Sequence, residues 1–418
     1  MLLIHNTSQL LTLAGGPQRG TSLGTLGIIP EGAMLIDNET IAAVGTSTDL
    51  LEKYPSASHL DAQGKVVMPG FVDPHTHLIW AGDRAAEFEM RLQGKTYMQI
   101  MAAGGGILSS LKATRTASFE DLVRQSQERS AQAFRHGTTT MEAKSGYGLD
   151  IDTELKQLDA ILQIDREGPI ELAATFMGAH AIPPEFQHDP EAYVTFLCEQ
   201  ALPKVKTWWS ANANGQPLPF VDVFCEQGVF DLDQTRRIFT TAKALGFPLK
   251  VHADEFENLG GASLAAEMGA ASADHLVKTS RSDIEKLAAS NTVAVSLPGT
   301  PFGLAQDEYT PAQKIIAANG LLALATDLNP GTCWCESMQL VIALACRYMK
   351  LTPAQAIAAS TINAAAAIRR ENSIGSIEVG KQADLLLLSV DDYRHLGYRF
   401  GTNLVSTIIK KGKVYPLS

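Results

Sequence analysis

The pattern of apolar and polar positions changes twice along the chain. Residues 1 to about 65 hold short apolar runs separated by Gly, Asn, Asp and Pro, which is typical of strands joined by turns. Similar runs return near the C-terminus, at residues 382–388 and 407–415. We expect this tail to join the N-terminal strands, so that both chain ends build one small β-sandwich.

The middle of the chain alternates apolar strand-like runs with helical stretches. Eight strands are predicted at residues 70–75, 138–143, 171–178, 220–224, 248–252, 273–276, 293–297 and 321–325. The predicted helices include residues 119–136, 153–167, 232–245, 260–268, 280–290 and 311–319. Eight successive β-α steps indicate a (β/α)8 TIM-like barrel. The predicted class is α/β, with a barrel at residues 66–364 and a discontinuous β-sandwich at residues 1–65 plus 365–418.

Composition narrows the range of functions. The 418 residues are 45% hydrophobic, which is enough for a large core. The formal net charge of −11 argues against nucleic acid or an anionic membrane as the partner, and an anionic substrate would need a local cation. The five cysteines lack disulfide or zinc-site spacing, which predicts reduced thiols and a cytoplasmic location. We expect no signal peptide and no membrane-spanning stretch.

Polar residues that can bind a metal ion, transfer a proton or bind a substrate lie where the predicted barrel strands end. Barrels of this kind carry their reactive groups at these ends. In chain order these residues are His75, His77, Glu142, Lys144, Tyr147, His180, Glu226, His252, Asp254, Glu255, Asp274, His275 and Asp327. Five of the ten histidines are among them. This shared placement favours a common site over five separate structural roles.

The first of these strands ends in a His-x-His motif. Side chains alternate across a strand, so His75 and His77 point the same way. Alone, the motif is weak evidence, because two polar loop residues would look the same. With His252 and Asp327 it would place three nitrogens and one carboxylate around a divalent ion, leaving a position for water. Such a set suits zinc and iron alike.

Over essentially its whole length the chain resembles the amidohydrolase superfamily. The hallmarks are His-x-His after the first barrel strand, His252 and His275 after the fifth and sixth, and Asp327 after the eighth. Within the superfamily it is similar to the hydrolases that open the imidazolone ring in histidine degradation. The segments that carry this similarity are residues 69–77, 81–84, 103–107, 142–149, 178–180, 252–255 and 326–331. Glu-Ala-Lys-Ser-Gly-Tyr-Gly and Asp-Leu-Asn-Pro-Gly are the most specific stretches.

The resemblance implies hydrolysis of the ring C–N bond of 4-imidazolone-5-propanoate, which gives N-formimidoyl-L-glutamate. It also implies a homodimer and one divalent ion, zinc or iron. The implied metal ligands are His75, His77, His252 and Asp327. The implied catalytic residues are Glu255, His275 and Asp327. The implied substrate-binding residues are Arg84, Tyr147, His180, Glu255, Asn329, Gly331 and Thr332.

Alternatives stay open from the residues alone. Arg84 could form an ordinary surface ion pair, Tyr147 could be a core aromatic, and Glu255 could be a solvated carboxylate. Glu226 could bind a second metal, although a structural role is favoured. Lys144 follows the second strand, which argues against a carboxylated bridging lysine. The nearest alternative function is another mononuclear amidohydrolase, a cyclic amidase or a deaminase of a small acidic ring. A binding protein on the same scaffold is the alternative of a different class.

Overall fold

Eight parallel strands form the centre of the protein in a computed structural model that describes residues 1–95, 99 and 104–417. We number them barrel strands 1 to 8. They are Phe71–Asp73, Thr138–Lys144, Glu171–Ala179, Phe220–Cys225, Leu249–Ala253, Ser272–His275, Val293–Ser296 and Leu322–Leu324. Each pairs in parallel with its neighbour in chain order. The predicted α/β class with a TIM-like barrel is confirmed, and each strand end lies within two residues of its predicted position.

Hydrogen bonds between the segments after barrel strands 1 and 8 join the two edges of this sheet. Thr76 and Leu328 form a parallel bridge. The N–H of Asp327 donates to the carbonyl of His75 at 3.2 Å, and the N–H of His77 donates to the carbonyl of Leu328 at 2.9 Å. The contact that joins the barrel edges therefore also brings the His-x-His motif beside Asp327.

Helices connect the barrel strands and pack against them. The α-helices are Ser47–Lys53, Ala85–Leu92, Ile107–Thr116, Phe119–Arg135, Ile151–Glu167, Pro190–Phe196, Leu202–Asn212, Leu232–Ala244, Gly261–Met268, Arg281–Ala288, Gly299–Gly303, Ala312–Ala317, Met338–Tyr348, Pro353–Ala359, Ile362–Ala367 and His395–Tyr398. Short 3-10 turns lie at Gly20–Ser22 and Pro184–Phe186, and a π-helical turn lies at Leu197–Ala201. Side-chain N-caps such as Ser118 and Asp150 accept the free N–H groups where the long helices begin. A search of the described helices finds none with the length and apolar character needed to cross a membrane.

Strands from both chain ends build two further sheets. The four-stranded sheet contains, in spatial order, Thr40–Thr46, Gly32–Asp37, Leu2–His5 and Ser58–Asp61. The six-stranded sheet contains Lys413–Pro416, Val405–Lys410, Leu385–Leu388, Val66–Pro69, Gln9–Leu11 and Ile28–Pro30. The C-terminal tail thus joins N-terminal strands, as expected. The predicted strand at 407–415 is in fact two strands, because Lys411 and Gly412 turn the chain in the left-handed region.

One predicted domain boundary was wrong. The sequence pattern predicts that the barrel begins at residue 66, but Val66–Pro69 pairs with Leu385–Leu388 and with Gln9–Leu11 in the six-stranded sheet. The chain passes from that sheet into the barrel at Gly70, where a Cβ would collide with the side chain of Thr139. A glycine is therefore needed at this close approach. The rest of the proposed domain division stays a prediction. Of the segment at 103–107, residue 103 lies outside the described residues.

Candidate metal and substrate site

The predicted metal ligands meet at the C-terminal end of the barrel. His75 and His77 follow barrel strand 1, His252 lies in strand 5, and Asp327 follows strand 8. His275 ends strand 6 beside them, and each of the five residues is at most 3% exposed. Two overlapping triplets, His75–His77–Asp327 and His75–His252–His275, hold their possible ligand atoms within 4.8 Å of one another.

The distances within this cluster fit one divalent ion. Nε2 of His77 lies 3.2 Å from Nε2 of His252. Oδ1 of Asp327 lies 3.4 Å from Nε2 of His75 and 3.6 Å from Nε2 of His77. Ligand atoms about 2.0–2.2 Å from a tetrahedral zinc ion are themselves roughly 3.3–3.6 Å apart. Nε2 of His75 and Oδ1 of Asp327 are buried and have no hydrogen-bond partner among the described residues, which an ion between them would explain.

Protonation also suits metal binding. Burial lowers the pKa of His75, His77 and His275 well below the usual range, so these imidazoles are neutral at pH 7. Neutral imidazole is the form that binds metal ions. Burial raises the pKa of Asp327 to about 6, although a hydrogen bond from Thr300 opposes this shift. A cation beside Asp327 would favour its ionised form.

Buried carboxylates orient two of the imidazoles. Nδ1 of His75 lies 2.6 Å from Oδ2 of Asp274, and Nδ1 of His252 lies 3.1 Å from Oδ1 of Asp222. A neutral imidazole that donates from Nδ1 to a carboxylate leaves Nε2 free of a proton. A carboxylate at Nδ1 in this way orients an imidazole so that Nε2 faces a metal ion, which is how carboxylates support metal-binding histidines.

Two buried lysines face these carboxylates. The Lys144 ammonium donates to Oδ2 of Asp222 at 2.8 Å and to Oε1 of Glu142 at 2.6 Å, and all three side chains are inaccessible to solvent. Nζ of Lys250 lies 3.6 Å from Oδ2 of Asp274. Burial opposes the charge on Lys144, but the two carboxylates raise its pKa above the usual range. Lys144 is thus an ion-pair partner beneath the candidate metal ligands.

A cavity of about 150 Å³ opens above the cluster. Its wall contains the predicted residues His77, Arg84, Tyr147, His180, His252, Glu255, His275, Asp327, Asn329, Gly331 and Thr332. Ile107, Phe224 and Phe256, which were not among the predicted site residues, add apolar surface. The structure therefore brings every predicted substrate-binding residue into one pocket, while His75 lies beneath its floor with no exposed surface.

Arg84 forms an ion pair with Glu87, but this pair is mostly buried and is not an ordinary surface pair. Its Nε donates to Oε2 of Glu87 at 2.8 Å, and its Nη2 donates to Oε1 of the same carboxylate. Glu87 also accepts the N–H of Gly106 at 2.8 Å. Nη1 of Arg84 packs against Gly331 so closely that a Cβ there would collide with it. Glu87 thus occupies the Nε–Nη2 edge of the guanidinium, while Nη1 has no hydrogen-bond partner among the described residues.

Tyr147 and His180 are held by the loop after barrel strand 2. The ring of Tyr147 lies edge-on to His180, with centroids 5.2 Å apart. Burial raises the pKa of Tyr147 far above the usual range, so its hydroxyl keeps its proton. Nδ1 of His180 donates to the carbonyl of Gly146 at 2.9 Å. Burial lowers the pKa of His180 to about 3, so the neutral ring offers Nε2 as an acceptor.

Glu255 is a buried acid at the pocket wall. Burial, followed by the nearby Asp327 and Glu226 carboxylates, raises the pKa of Glu255 well above the usual range. Its Oε1 lies 3.7 Å from Nδ1 of His275, which is too long for a hydrogen bond. A carboxyl group with a raised pKa in a cleft can both give and take a proton near neutral pH.

Several residues that contact the candidate site residues were not predicted from the sequence. Asp222 and Lys250 interrupt apolar strands, and a charged residue in such a run is a usable signal of a buried partner. We found no comparable signal for Glu87 or Thr300, whose positions depend on how separate loops meet. Asn329 forms a turn, since its Oδ1 accepts the N–H of Gly331 and of Thr332.

Comparisons with known proteins show the family to which this chain belongs. A family model described as "Amidohydrolase family" matches residues 66–415. A solved adenosine deaminase from Xanthomonas campestris with bound zinc has a TM-score of 0.73 at 18% identity, covering 99% of this chain and 92% of that one. E. coli guanine deaminase has a TM-score of 0.74 at 14% identity, covering 100% and 99%. These structures show the shared fold alone, and the family match shows that the chain belongs to the amidohydrolases.

Curated relatives define the branch of that family. A protein of Herpetosiphon aurantiacus named imidazolonepropionase is 51% identical over 412 residues, covering 99% of this chain and 96% of the relative. One of the same name from Chloroflexus aggregans is 47% identical over 418 residues, covering 99% and 98%. A model described as "Imidazolonepropionase-like composite domain, bacteria" matches residues 32–57. The chain is a member of the imidazolonepropionase family, which confirms the resemblance to the ring-opening hydrolases.

Proposed function

We propose that this protein hydrolyses the ring C–N bond of 4-imidazolone-5-propanoate to N-formimidoyl-L-glutamate in histidine degradation. The observation that carries the proposal is one pocket with two chemically distinct parts. His77, His252 and Asp327 lie at its floor, and Arg84 with Tyr147 lies on its wall. A small ring with a carboxylate tail needs both a hydrolytic centre and a cation at a distance from it.

We assign one divalent ion, zinc or iron, to His75, His77, His252 and Asp327. When bound, such an ion polarises a carbonyl oxygen and lowers the pKa of coordinated water, to about 7 in the best-known zinc case. Asp274 and Asp222 orient His75 and His252 for this purpose. Burial keeps the pKa of His75 and His77 low, so these two rings are neutral and no proton has to leave them when the ion binds.

The propanoate is assigned to Arg84 and Tyr147. The free edge of the Arg84 guanidinium offers two parallel donors, which match a carboxylate in a way that lysine cannot. The Tyr147 hydroxyl, protonated because of its burial, supplies a third donor. His180 offers a ring-facing acceptor, and the turn of Asn329, Gly331 and Thr332 shapes the opposite wall.

Proton transfer is assigned to Glu255, with His275 and Asp327 as its neighbours. Ring opening requires a proton to leave water and a proton to reach the departing ring nitrogen. The raised pKa of Glu255 keeps a proton available at its carboxyl oxygen for that nitrogen. His275 is neutral and buried at the same wall, where it can hold water or stabilise negative charge that develops on the ring oxygen.

The test is turnover of freshly generated 4-imidazolone-5-propanoate, followed by loss of its ultraviolet absorbance and by mass spectrometry of the product. We expect N-formimidoyl-L-glutamate and no ammonia. Glu255→Gln should keep the metal and lose about 10²–10⁴-fold in kcat. Ammonia release from this or another small acidic ring, without ring opening, would instead favour the deaminase alternative. No reaction of the metal-loaded protein would refute the assignment.

We also infer a homodimer that resides in the cytoplasm. The dimer rests on the family resemblance, and the location on the five cysteines, all of which are free thiols. Light scattering coupled to size-exclusion chromatography tests the first inference, and cell fractionation tests the second.

A further inference from the structure

We infer that Glu226 positions Glu255 in the pocket by holding the backbone of the loop after barrel strand 5. The inference rests on the proposed role of Glu255 in proton transfer. Glu226 itself follows barrel strand 4, is 3% exposed, and is not among the described residues that line the cavity. Its effect on the reaction is therefore indirect.

Three backbone N–H groups converge on the Glu226 carboxylate. Its Oε2 accepts from Phe256 at 2.9 Å. Its Oε1 accepts from Glu257 at 3.1 Å and from Gln227 at 2.9 Å. A carboxylate is an acceptor at both oxygens, so it satisfies donors that arrive from two directions, and hydrogen bonds to a charged group are stronger than neutral ones. The loop after strand 4 is thereby tied to the loop after strand 5.

Glu255 is fixed through its neighbours and not through its own side chain. On one side, the carbonyl of Asp254 accepts the N–H of Lys278 at 2.7 Å. On the other side, Phe256 donates to Glu226. Within the described part of the chain, no hydrogen bond to the Glu255 carboxylate is found. The nearest ionisable partner is His275, whose Nδ1 lies 3.7 Å from Oε1 of Glu255. These backbone hydrogen bonds of Asp254 and Phe256, which we call the backbone clamp, therefore decide where the Glu255 carboxyl lies.

The same contacts argue against Glu226 as a second metal ligand. Both of its oxygens already accept N–H groups. The described groups able to hold an ion include His75, His77, His252, His275 and Asp327 but not Glu226.

The experiment compares Glu226→Gln with wild type in the metal-loaded enzyme. The glutamine amide has one acceptor and presents an NH2 group to the remaining N–H donors, so part of the clamp opens. We expect kcat to fall by about one to two orders of magnitude, the range for a lost charge-assisted hydrogen bond. KM and metal content should change little. Glu226→Asp, which is one methylene too short to reach both loops, should give a milder form of the same pattern. Glu199→Gln, at an exposed position, is the control.

Two readouts separate positioning from general damage. Amide hydrogen exchange at Phe256 and Glu257 should accelerate in Glu226→Gln but not in Glu199→Gln, and this measurement needs no substrate. In a Glu255→Gln background, Glu226→Gln should cause little further loss in kcat, because both changes act on one step.

The inference is overturned if amide exchange is unchanged, if the losses of the two variants multiply, or if Glu226→Gln lowers the metal content per chain. A wild-type protein that fails to open the imidazolone ring would refute the proposed function instead. In that case the exchange measurement still decides whether Glu226 holds the loop.

Discussion

Nε2 of His77 and Nε2 of His252 lie 3.2 Å apart, although 175 positions separate the two residues in the chain. Barrel strands 1 and 5 supply them from opposite sides of the barrel. A shared proton would explain this one distance, but it would leave the buried Nε2 of His75 and Oδ1 of Asp327 without partners. A common ion satisfies all four atoms.

Metal content tests this relationship directly. His77→Ala and His252→Ala should each lose most of the bound metal in elemental analysis, because each removes one of the four proposed ligands. His188→Ala, an exposed histidine, should keep it. Full occupancy in either pocket variant would show that the metal lies elsewhere.

Lys144 should matter for stability even without metal. Lys144→Met leaves the buried carboxylates of Glu142 and Asp222 without their cation, and such a loss typically costs about 3–5 kcal/mol. We expect a reduction of this size in the free energy of unfolding by urea in the presence of a chelator. Lys204→Met breaks only an exposed pair with Asp152 and should change it by less than about 1 kcal/mol. Equal effects of the two substitutions would contradict a special role for the buried pair.

We expect Arg84 to bind the propanoate group of the substrate. Arg84→Met would remove the proposed charge-assisted contact, worth about 1.5–3 kcal/mol, so kcat/KM should fall by about one to two orders of magnitude. An imidazolone without the propanoate should be affected much less. Equal losses on both substrates would mean that Arg84 supports the fold or the metal site.

Gly331→Ala tests the proposed contact between Arg84 and the propanoate by changing the residue that packs against Arg84. The added Cβ would collide with Nη1 of Arg84 and displace the guanidinium, so KM for the propanoate substrate should rise. Gly401→Ala is the control, because nothing lies within 4 Å of a Cβ at that exposed glycine. An unchanged KM in Gly331→Ala would show that the position of Arg84 does not limit binding.

Glu171 links acid stability to the junction of barrel and six-stranded sheet. Burial alone would raise its pKa, but the Lys410 ammonium, 2.6 Å away, and its hydrogen-bonding neighbours lower it to about 2. The folded pKa lies below the unfolded value of 4.5, so the folded state binds fewer protons. The stabilisation is present above about pH 4.5 and is lost as the pH falls toward 2. It amounts to at most about 3 kcal/mol.

Glu171→Gln should therefore lower the free energy of unfolding at pH 7 and flatten its decline between about pH 5 and pH 2. Denaturant unfolding over this range provides the measurement. Glu52→Gln, at an exposed position, should leave the curve unchanged. A decline as steep as that of wild type would assign the acid sensitivity to other carboxylates.

Local pattern was enough to predict the barrel and to place the candidate site residues at one end of it. Most of the strands are largely apolar runs with a polar residue at or just after the C-terminal end, and this pattern can be seen in consecutive positions of the sequence. Because the C-terminal ends of parallel strands meet at one face, His75, His252 and Asp327 could be placed together before any contact was known.

Tertiary structure alone decided which groups support that site and how the chain ends pair. Asp222 meets His252 and Lys144 only because strand 4 pairs with strand 5 on one side and the twisted sheet brings strand 2, beyond strand 3, within reach on the other. Val66–Pro69 belongs to the sheet of the chain ends because Leu385–Leu388 offers it hydrogen bonds from more than 300 residues away. Such pairings depend on how distant segments align and close into a sheet. The periodicity of a single segment carries no information about this alignment.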